Sequence, residues 1–308
     1  MALKEPLTGL RHVVSSEQFD PGTLAALFAR AQALDGVRDH RLDGRIMASL
    51  FYEPSTRTRL SFESAMLRLG GSVLGTEAAH TFSSAIKGET LEDTVRMVST
   101  YADLIVLRHD QLGAAARAAQ VATVPVINAG DGPGEHPTQA LLDLFTVQRE
   151  VGHIDGVSVA FCGDLRFGRT ARSLALLLAQ YPRVRFYFVA PPVVQVGPDI
   201  ISRLEKRGVP YTLSDSLHDV AADVDVVYQT RVQRERFTDA AEFEQANTAF
   251  RIDADLMRAL RDTAVVMHPL PRIDEIAPEV DADPRAAYFR QAANGVALRM
   301  ALLDWMLT

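Results

Sequence analysis

Hydroxyl residues and arginines lie together directly after an apolar run in the first quarter of the chain. Residues 46–52 are apolar and favour a strand, Glu53-Pro54 ends it, and apolar residues recur at helical spacing from Leu60 onward. The polar group therefore lies in the turn before a helix and in the first helical turn. Its members are Ser55, Thr56, Arg57, Thr58 and Arg59.

This turn has the donors that are needed to bind a phosphate group. Unpaired backbone N–H groups at a helix N-terminus, the positive end of the helix dipole, hydroxyls and a guanidinium together form an anion pocket. The alternative is that Ser55 or a neighbouring hydroxyl only caps the helix, because serine and threonine are favoured at that position for local reasons. A cap needs one hydroxyl and no arginine, so the pattern favours the phosphate hypothesis.

Polar residues also follow several other predicted strands. Ligands of open parallel sheets bind beyond the carboxyl ends of the strands, so these residues are candidates for a site. They are Arg108, His136 with Gln139, the 164–169 segment with Arg169, Arg231 with Gln233, and the 268–272 segment His-Pro-Leu-Pro-Arg. Several are arginines, although the net charge of the chain is −7. This combination predicts a site for one or two anionic ligands.

Strand and helix patterns alternate along both halves of the chain. Strands are predicted at 45–51, 72–75, 104–107, 124–128, 157–162, 184–189, 224–228 and 264–267. Helices are predicted at 20–34, after residue 55, and at 90–101, 137–152, 168–180, 199–206 and 284–307. This order predicts an α/β protein of two doubly wound parallel-sheet domains joined by interdomain helices. The expected domains are residues 1–151, onto which the C-terminal helix 284–308 packs back, and residues 152–283.

The composition excludes several classes of function. A chain of 308 residues with 47% hydrophobic residues can form two cores, and its negative charge argues against nucleic acid or a membrane surface as partner. No apolar run reaches about 18 residues and no signal-peptide core is present, which predicts a soluble, cytoplasmic protein. The single cysteine, Cys162, lies in an apolar run and is expected to be buried and inert. Cys/His clusters typical of zinc sites are absent from the sequence.

Two tempting motifs do not carry the chemistry that they suggest. The segment 163–170 has Walker-A glycine spacing, but Arg169 stands where the required lysine would be, and the segment lacks the Gly-x-Gly of a dinucleotide site. We interpret it as a strand-to-helix turn that presents Arg169. His136 has no Ser or Cys partner in a triad arrangement and no second histidine at metal spacing, so a hydrogen-bond donor role suits it better.

With these residues identified, the chain resembles the catalytic chains of aspartate carbamoyltransferases from about residue 8 to the C-terminus. The segments that carry the resemblance are 51–59, 87–90 (Lys-Gly-Glu-Thr), 136–139 (His-Pro-Thr-Gln), 168–170, 230–233 (Thr-Arg-Val-Gln) and 268–272. Ornithine transcarbamoylases are similar in the first half, but they carry His-Cys-Leu-Pro where Pro269 stands and a different amino-acid loop. The pattern Arg231-Val-Gln233 is that of the aspartate enzymes.

The resemblance implies a role for each candidate residue. The phosphate of carbamoyl phosphate is assigned to Ser55, Thr56, Arg57, Thr58 and Arg108, and its carbonyl oxygen to Arg57, Thr58 and His136. Its NH2 group is assigned to Gln139 and the carbonyls around Pro269 and Leu270, with Pro271 shaping that wall. The carboxylates of L-aspartate are assigned to Arg169, Arg231 and Gln233. No metal or organic cofactor is expected.

The family further implies a homotrimer in which Ser83 and Lys87 reach into the site of a neighbouring subunit. Residues 78–88 fit neither strand nor helix periodicity and are predicted to form a mobile loop. Some relatives have two lysines here, whereas this chain has Ile86 before Lys87, which predicts weaker electrostatics in the loop. Regulatory or other pathway subunits are further partners that the family allows.

The implied activity is carbamoyl transfer to L-aspartate, an early step of pyrimidine (UMP) biosynthesis. The alternatives are transfer to another amino acid such as ornithine, a catalytically silent subunit that binds carbamoyl phosphate, and a phosphotransferase that uses the 163–170 turn. Silent chains usually lose an arginine of the phosphate turn or the loop lysine, whereas Arg57, Lys87 and His136 are all present. A phosphotransferase would bind nucleotide and depend on magnesium.

Overall fold

The computed structural model describes residues 10–77, 88–232, 239, 243 and 250–308. The chain divides into two compact units, one of Met1–Leu141 with Asn294–Thr308 and the other of Leu142–Ala293. Each unit has its own parallel sheet and its own apolar core. The predicted fold class, two α/β units built on parallel sheets, is confirmed.

The first unit contains a four-stranded sheet. Its strands are β1 (Ile46–Phe51), β2 (Ser72–Glu77), β3 (Leu104–His109) and β4 (Val126–Asp131), and all of them are parallel in the order β2-β1-β3-β4. Its helices are α1 (Pro21–Leu34), α2 (Thr56–Arg68), α3 (Leu91–Val98), α4 (Ala114–Val121) and the start of α5 (Pro137–Val151). Every residue of β4 is buried, as expected for a parallel strand that is covered on both faces.

Local signals explain where several of these helices begin. The Asp20 side chain accepts a hydrogen bond from the Thr23 N–H, with proline at the first position of α1, and the Thr90 hydroxyl accepts one from the Asp93 N–H. Gly36 follows α1 in the left-handed conformation that favours glycine. These caps satisfy backbone N–H groups that would otherwise have no intrahelical partner.

The second unit contains a five-stranded parallel sheet. Its strands are β5 (Ser158–Cys162), β6 (Arg185–Val189), β7 (Tyr211–Ser214), β8 (Val226–Gln229) and β9 (Val265–Met267), in the order β7-β6-β5-β8-β9. Its helices are α6 (Arg169–Leu178), α7 (Pro198–Lys206), α8 (Ala254–Ala259), the rest of α5 and the start of α9 (Tyr288–Leu307). The Phe161 ring on β5 lies 5.5 Å from the Phe188 ring and 5.9 Å from the Tyr228 ring, measured between centroids. Cys162 lies in a second apolar cluster of this unit, with Ala160 and Val189, and is buried as the sequence predicts.

Two polar side chains bind the C-terminal part of α9 to the rest of the first unit. Asp304 is almost fully buried and forms ion pairs with Arg30 at 2.7 Å and Arg41 at 3.1 Å. Arg299 donates to the Ser61 hydroxyl at 2.9 Å and lies over the Phe62 ring. Both contacts attach α9 to the helices of the first unit, Arg299 to the one that begins at the phosphate turn.

Three regular elements are not predicted by the sequence patterns. Helix α4 is rich in alanine and has few large apolar residues, β7 has no buried residue, and α8 has only six residues. The last helix begins at Tyr288 rather than near residue 284, because residues 278–282 form a separate 3-10 turn. No described helix has both the length and the apolar composition that crossing a membrane requires.

The strands that carry the candidate residues are neighbours in each sheet. In the first unit these strands are β1, β3 and β4, and in the second they are β5, β8 and β9. The strand order reverses direction between β1 and β3, and again between β5 and β8. Such switch points are where open α/β sheets bind their ligands.

The turns that follow β5 and β8 approach each other closely at Gly163. Its φ is +99°, and a Cβ built there would lie 2.2 Å from the backbone oxygen of Thr230. We expect Gly163→Ala to lower the free energy of unfolding by about 3 kcal/mol, combining backbone strain with an overlap that the backbone must relieve.

Gly156→Ala is the matched control, because Gly156 has φ +76° but no atom within 4 Å of a built Cβ. It should cost about 1–2 kcal/mol, from backbone strain alone. Chemical denaturation of both variants measures the difference. Equal losses would contradict the close approach at Gly163.

Candidate active site

The phosphate turn lies at the start of α2, and its first serine does not act as a cap. Ser55 occupies the N-cap position, but its side chain makes no capping hydrogen bond, in contrast to Asp20 of α1 and Thr90 of α3. Ser55 is half-buried and Thr56 is exposed. The hydroxyl of Ser55 is therefore not used in capping the helix, which favours the anion-binding hypothesis over the capping hypothesis.

Arg57 adds an exposed positive charge to this turn. In the described part of the chain, the Arg57 guanidinium pairs with no carboxylate. Partial withdrawal from water lowers the pKa of the guanidinium from its ordinary value, yet an arginine remains protonated at neutral pH. A partly desolvated guanidinium at a helix N-terminus is well suited to bind an anion.

The pairing of β1 with β3 determines the position of Arg108. It is opposite Phe51 in the β1–β3 pairing, and its backbone oxygen accepts a hydrogen bond from the Tyr52 N–H at 2.9 Å. Its guanidinium donates to the Ala129 backbone oxygen and lies 3.3 Å from the Glu53 carboxylate. These contacts hold Arg108 beside the end of β1, where the chain turns towards Ser55.

His136 meets Thr58 although 78 residues separate them in the sequence. The Thr58 hydroxyl and His136 Nε2 are 3.3 Å apart, and both side chains are buried. His136 Nδ1 lies 3.5 Å from the Thr138 hydroxyl in the first turn of α5. The structure therefore brings the motif of Thr58 and the motif of His136 together, although they lie far apart in the sequence.

The loop before His136 is held by two carboxylates. Asp131 accepts from the Gly113 and Glu135 N–H groups, and Glu135 accepts from both Ser15 and Ser16. Gln139 lies in the first turn of α5, half-buried, and its N–H donates to the His136 oxygen. This network places His136 and Gln139 at one helix N-terminus beyond the end of β4.

In the second unit, Arg169 and Arg231 follow two neighbouring strands. Arg169 is the first residue of α6, after the turn that leaves β5, and Arg231 lies two residues beyond β8; both are half-buried. Thr230 joins the two turns, because its N–H and its hydroxyl both donate to the Cys162 oxygen, at 2.8 Å and 2.9 Å. The two arginines are therefore positioned by adjacent backbone segments.

The segment Pro269-Leu270-Pro271 presents acceptors and lacks available donors. Proline has no N–H, and the single N–H of the segment, on Leu270, donates to His268 Nδ1 at 2.8 Å. Leu270 has a positive φ, and the Leu270–Pro271 bond is cis. Carbonyl groups are then the only hydrogen-bonding groups that this segment can offer to a ligand, which suits an NH2 group.

Hydrogen bonds of His268 with Glu275 and with Leu270 hold this segment in place. Since His268 Nδ1 accepts from Leu270, its proton must lie on Nε2, which is 2.8 Å from Glu275 Oε1. The other oxygen of Glu275 accepts from the Ile273 and Asp274 N–H groups. Burial tends to raise the pKa of Glu275, but the hydrogen bonds from His268 and the backbone lower it on balance.

Arg272 does not belong to this set of candidate ligands. The sequence analysis included it among the strand-end residues, but its guanidinium forms a bidentate ion pair with Asp281 at 2.5 Å. It also lies over the Tyr288 ring and donates to the Tyr288 hydroxyl. Its charge is therefore compensated within the protein, and its role is structural.

Three predicted site residues, Ser83, Lys87 and Gln233, lie outside the described residues. Conversely, sequence reasoning missed three buried polar residues, Asp143, Gln291 and Glu275, of which Glu275 contacts His268. A carboxylate or amide inside an otherwise apolar helix face is the signal that could have indicated Asp143 and Gln291.

Comparison with known proteins identifies the class. The family model described as aspartate/ornithine carbamoyltransferase, carbamoyl-P binding domain, matches residues 11–149, and that described as the Asp/Orn binding domain matches residues 155–306. The chain belongs to the aspartate/ornithine carbamoyltransferase family. Aspartate carbamoyltransferase 1 of Pisum sativum is 55% identical over 97% of this chain and 79% of its own length. The corresponding enzyme of Arabidopsis thaliana is 56% identical, covering 97% and 78%.

Solved structures similar to this chain support the same family assignment. Aspartate transcarbamoylase from Trypanosoma cruzi, in complex with N-(phosphonacetyl)-L-aspartic acid, has 43% identity and a TM-score of 0.93, covering 98% of each chain. Other structures of that enzyme contain carbamoyl phosphate with aspartate, or carbamoyl aspartate with phosphate. The predicted aspartate carbamoyltransferase branch of the family is therefore confirmed. The plant relatives are chloroplastic by name, so the cytoplasmic location stays a prediction.

The lowered pKa of Glu275 predicts a pH-dependent contribution to stability. Because the pKa in the folded protein lies below the ordinary value of 4.5, the ionised carboxylate stabilises the fold above that pH. This stabilisation is lost as the pH falls through the folded-state pKa. Glu275→Gln should lower the free energy of unfolding by about 1–3 kcal/mol at pH 7, and the difference from the wild type should shrink below about pH 4.5.

Thermal unfolding between pH 3.5 and 7 measures this effect. Glu279→Gln, a change at an exposed carboxylate nearby, is the control and should leave the melting temperature unchanged. A difference between wild type and Glu275→Gln that stays constant over the whole range would contradict the assignment.

Proposed function

We propose that this protein transfers the carbamoyl group of carbamoyl phosphate to the amino group of L-aspartate. The products are N-carbamoyl-L-aspartate and phosphate, and the reaction is an early step of pyrimidine biosynthesis. The observation that carries the proposal is the buried contact between Thr58 and His136, because it joins the phosphate turn to a second donor motif. Confirmed membership of the aspartate branch supports the same activity.

The phosphate subsite consists of Ser55, Thr56, Arg57, Thr58 and Arg108. Attack on the carbonyl carbon of carbamoyl phosphate forms a tetrahedral intermediate whose oxygen carries negative charge. Arg57, Thr58 and His136 are the donors for that oxygen, and losing one such donor typically costs about 2.7–4 kcal/mol of transition-state stabilisation. Collapse of the intermediate re-forms the carbonyl group and breaks its bond to the phosphate oxygen. The proton lost by the attacking amine passes to the departing phosphate, and the phosphate subsite stabilises this leaving group.

Gln139 and the carbonyls of the 269–271 segment are the proposed acceptors for the carbamoyl NH2 group. The two hydrogens of the carbamoyl NH2 group need acceptors, and Pro269-Leu270-Pro271 can present only carbonyl groups. Binding the NH2 group fixes the rotation of the carbamoyl group about its C–O bond. The carbonyl carbon is thereby directed towards the attacking amine.

The acceptor amino acid is selected by its second carboxylate. Arg169, Arg231 and Gln233 bind the two carboxylates of L-aspartate, and arginine can bind each carboxylate bidentately. L-ornithine has an ammonium group in place of the second carboxylate, so it would bring a positive charge to the arginines. The site should reject it for this reason.

An activity assay tests the proposal directly. Purified protein given carbamoyl phosphate and L-aspartate should release phosphate and N-carbamoyl-L-aspartate, and L-ornithine should give less than about 1% of that rate. Preferential use of L-ornithine would contradict the assignment of Arg231 and Gln233. Tight binding of carbamoyl phosphate without turnover would instead support the silent-subunit alternative.

Arg231→Gln is the matched variant in this assay. Losing a charged hydrogen bond to a carboxylate costs about 1.5–3 kcal/mol, so the KM for L-aspartate should rise about 10- to 150-fold. The KM for carbamoyl phosphate should change little, since Arg231 contacts only the acceptor. Equal effects on both substrates would argue against an acceptor-specific role.

We further propose that the protein assembles as a homotrimer with shared active sites. The first unit exposes Leu60 and Leu67 two turns apart on α2, and Leu74 on the edge strand β2, each about half or more exposed. Parallel strands are normally covered on both faces, so an exposed apolar edge of this kind favours a partner surface. Ser83 and Lys87 then belong to the active site of the neighbouring copy.

Mixing two inactive variants tests the shared site. Arg57→Ala and Lys87→Ala homotrimers should each fold without measurable activity, because each site lacks one cation. When the two are dissociated, mixed equally and reassembled, about a quarter of the sites should obtain both wild-type residues from different chains. Activity should therefore recover to about a quarter of the wild-type value. No recovery in mixed trimers that are verified by native mass spectrometry would show that each chain builds its own site.

A further inference from the structure

A fully buried carboxylate in α5, that of Asp143, accepts hydrogen bonds from the side chains of Tyr228 and Gln291. Asp143 Oδ2 accepts from the Tyr228 hydroxyl at 2.6 Å, and Oδ1 accepts from Gln291 Nε2 at 2.6 Å. Burial, followed by the negative charge of Asp143, raises the pKa of Tyr228, so this hydroxyl remains protonated and can donate. An ionised carboxylate only accepts hydrogen bonds, so both partners must act as donors towards it.

The carboxylate therefore sets the orientation of the Gln291 amide. Gln291 is almost fully buried, and its NH2 group donates to Asp143. Its oxygen must then point the other way, where it accepts from the His268 backbone N–H at 2.8 Å. If the amide were reversed, its NH2 group would face the His268 N–H, and two donors would oppose each other.

From His268 the contacts continue into the acceptor segment. His268 Nδ1 accepts from the Leu270 N–H, which leaves only carbonyls for the ligand side of Pro269-Leu270-Pro271. The order of contacts is Asp143, Gln291, His268 and Leu270. Each contact is buried or half-buried. Losing the contact between Asp143 and Gln291 would therefore release the Gln291 amide and, with it, the backbone position of His268 beside the segment.

A role in packing alone does not explain the choice of residues. Burying a carboxylate is costly, and an apolar side chain of similar volume often stabilises a core as well or better. What a carboxylate provides, and an apolar side chain does not, is the obligatory direction of the Gln291 amide. That direction has a use only if the backbone at His268 must be held in one position.

We propose that Asp143 and Gln291 are positioning residues that orient the 269–271 segment for the NH2 group of carbamoyl phosphate. This inference rests on the proposed function, because it assumes that the segment receives the carbamoyl group. Neither residue contacts the substrate itself. They act through His268 and the backbone of Leu270.

The Gln291→Glu variant tests the proposal. Adding Asp143→Asn to this variant should restore the KM for carbamoyl phosphate. The single change removes the donor that faces Asp143 and places two carboxylates against each other. Their repulsion should displace the side chain at position 291 from the His268 N–H, and the KM for carbamoyl phosphate should rise about tenfold or more. In the double variant, the asparagine NH2 group can donate to the new carboxylate, whose second oxygen accepts from the His268 N–H. The total charge of the pair is also restored, and the KM should return to within about threefold of the wild-type value.

A second readout separates positioning from general destabilisation. Inorganic phosphate competes with carbamoyl phosphate but has no NH2 group, so its inhibition constant should stay within about twofold of the wild-type value in Gln291→Glu. Tyr228→Phe is the matched control. It removes a buried hydrogen bond to the same carboxylate but cannot reverse the Gln291 amide, so the KM for carbamoyl phosphate should remain within about twofold.

Three outcomes would overturn the inference: an unchanged KM in Gln291→Glu, a parallel rise in the phosphate inhibition constant, or no rescue in the double variant. If Gln291→Glu does not fold, Gln291→Met replaces it as the impaired variant, and the double variant must still show a near-wild-type KM. Wild-type protein without carbamoyl transfer would contradict the proposed function itself. Active wild-type protein with unaffected variants would contradict only the positioning role.

Discussion

The parallel direction of the strands is the constraint on which the site depends. In a parallel sheet every strand ends at the same edge, so the chain must leave that edge repeatedly through strand-to-helix turns. Each turn begins a helix whose first N–H groups have no intrahelical partner. At β1, β3 and β4, and again at β5, β8 and β9, the residues that follow the strands are cationic or hydrogen-bonding. A chain of net negative charge thereby brings its candidate arginines to the edge of each sheet.

The candidate residues or the turns that carry them are held in place by hydrogen bonds to other polar groups of the protein. Glu135 and Asp131 fix the loop before His136, Thr230 fixes the turn before Arg231, and Glu275 fixes His268. Donors and acceptors that are held in place before the substrate binds need little reorganisation during the reaction. Ser55 differs from the N-cap residues of α1 and α3, because its side chain is not used in capping. Within the first unit, the fixed loop holds His136 against Thr58 of that turn.

Much of this structure follows from local sequence patterns. Proline after Asp20, the Thr90 cap and the apolar runs of the central strands identify their elements because the responsible interactions are short-range. Helix α4 is not predicted because it has few large apolar residues. Strand β7 is not predicted because none of its residues is buried. Tertiary packing, which a single-sequence pattern does not represent, determines these elements.

The candidate site shows the same division. Motif spacing was sufficient to select Ser55–Thr58, Arg108 and His136, but not to reveal that Arg272 is paired with Asp281. The connection from Asp143 to Gln291 spans 148 residues, and no local rule could have predicted it. Buried polar partners of this kind become evident only when both ends are placed in the fold.

The most direct test is a crystal structure of the protein with N-(phosphonacetyl)-L-aspartate. The phosphonate oxygens should lie within hydrogen-bonding distance of the backbone N–H groups at the start of α2, the Ser55 hydroxyl and the guanidinium groups of Arg57 and Arg108. A phosphonate bound elsewhere, with Ser55 and Arg57 left in contact with solvent, would contradict the account.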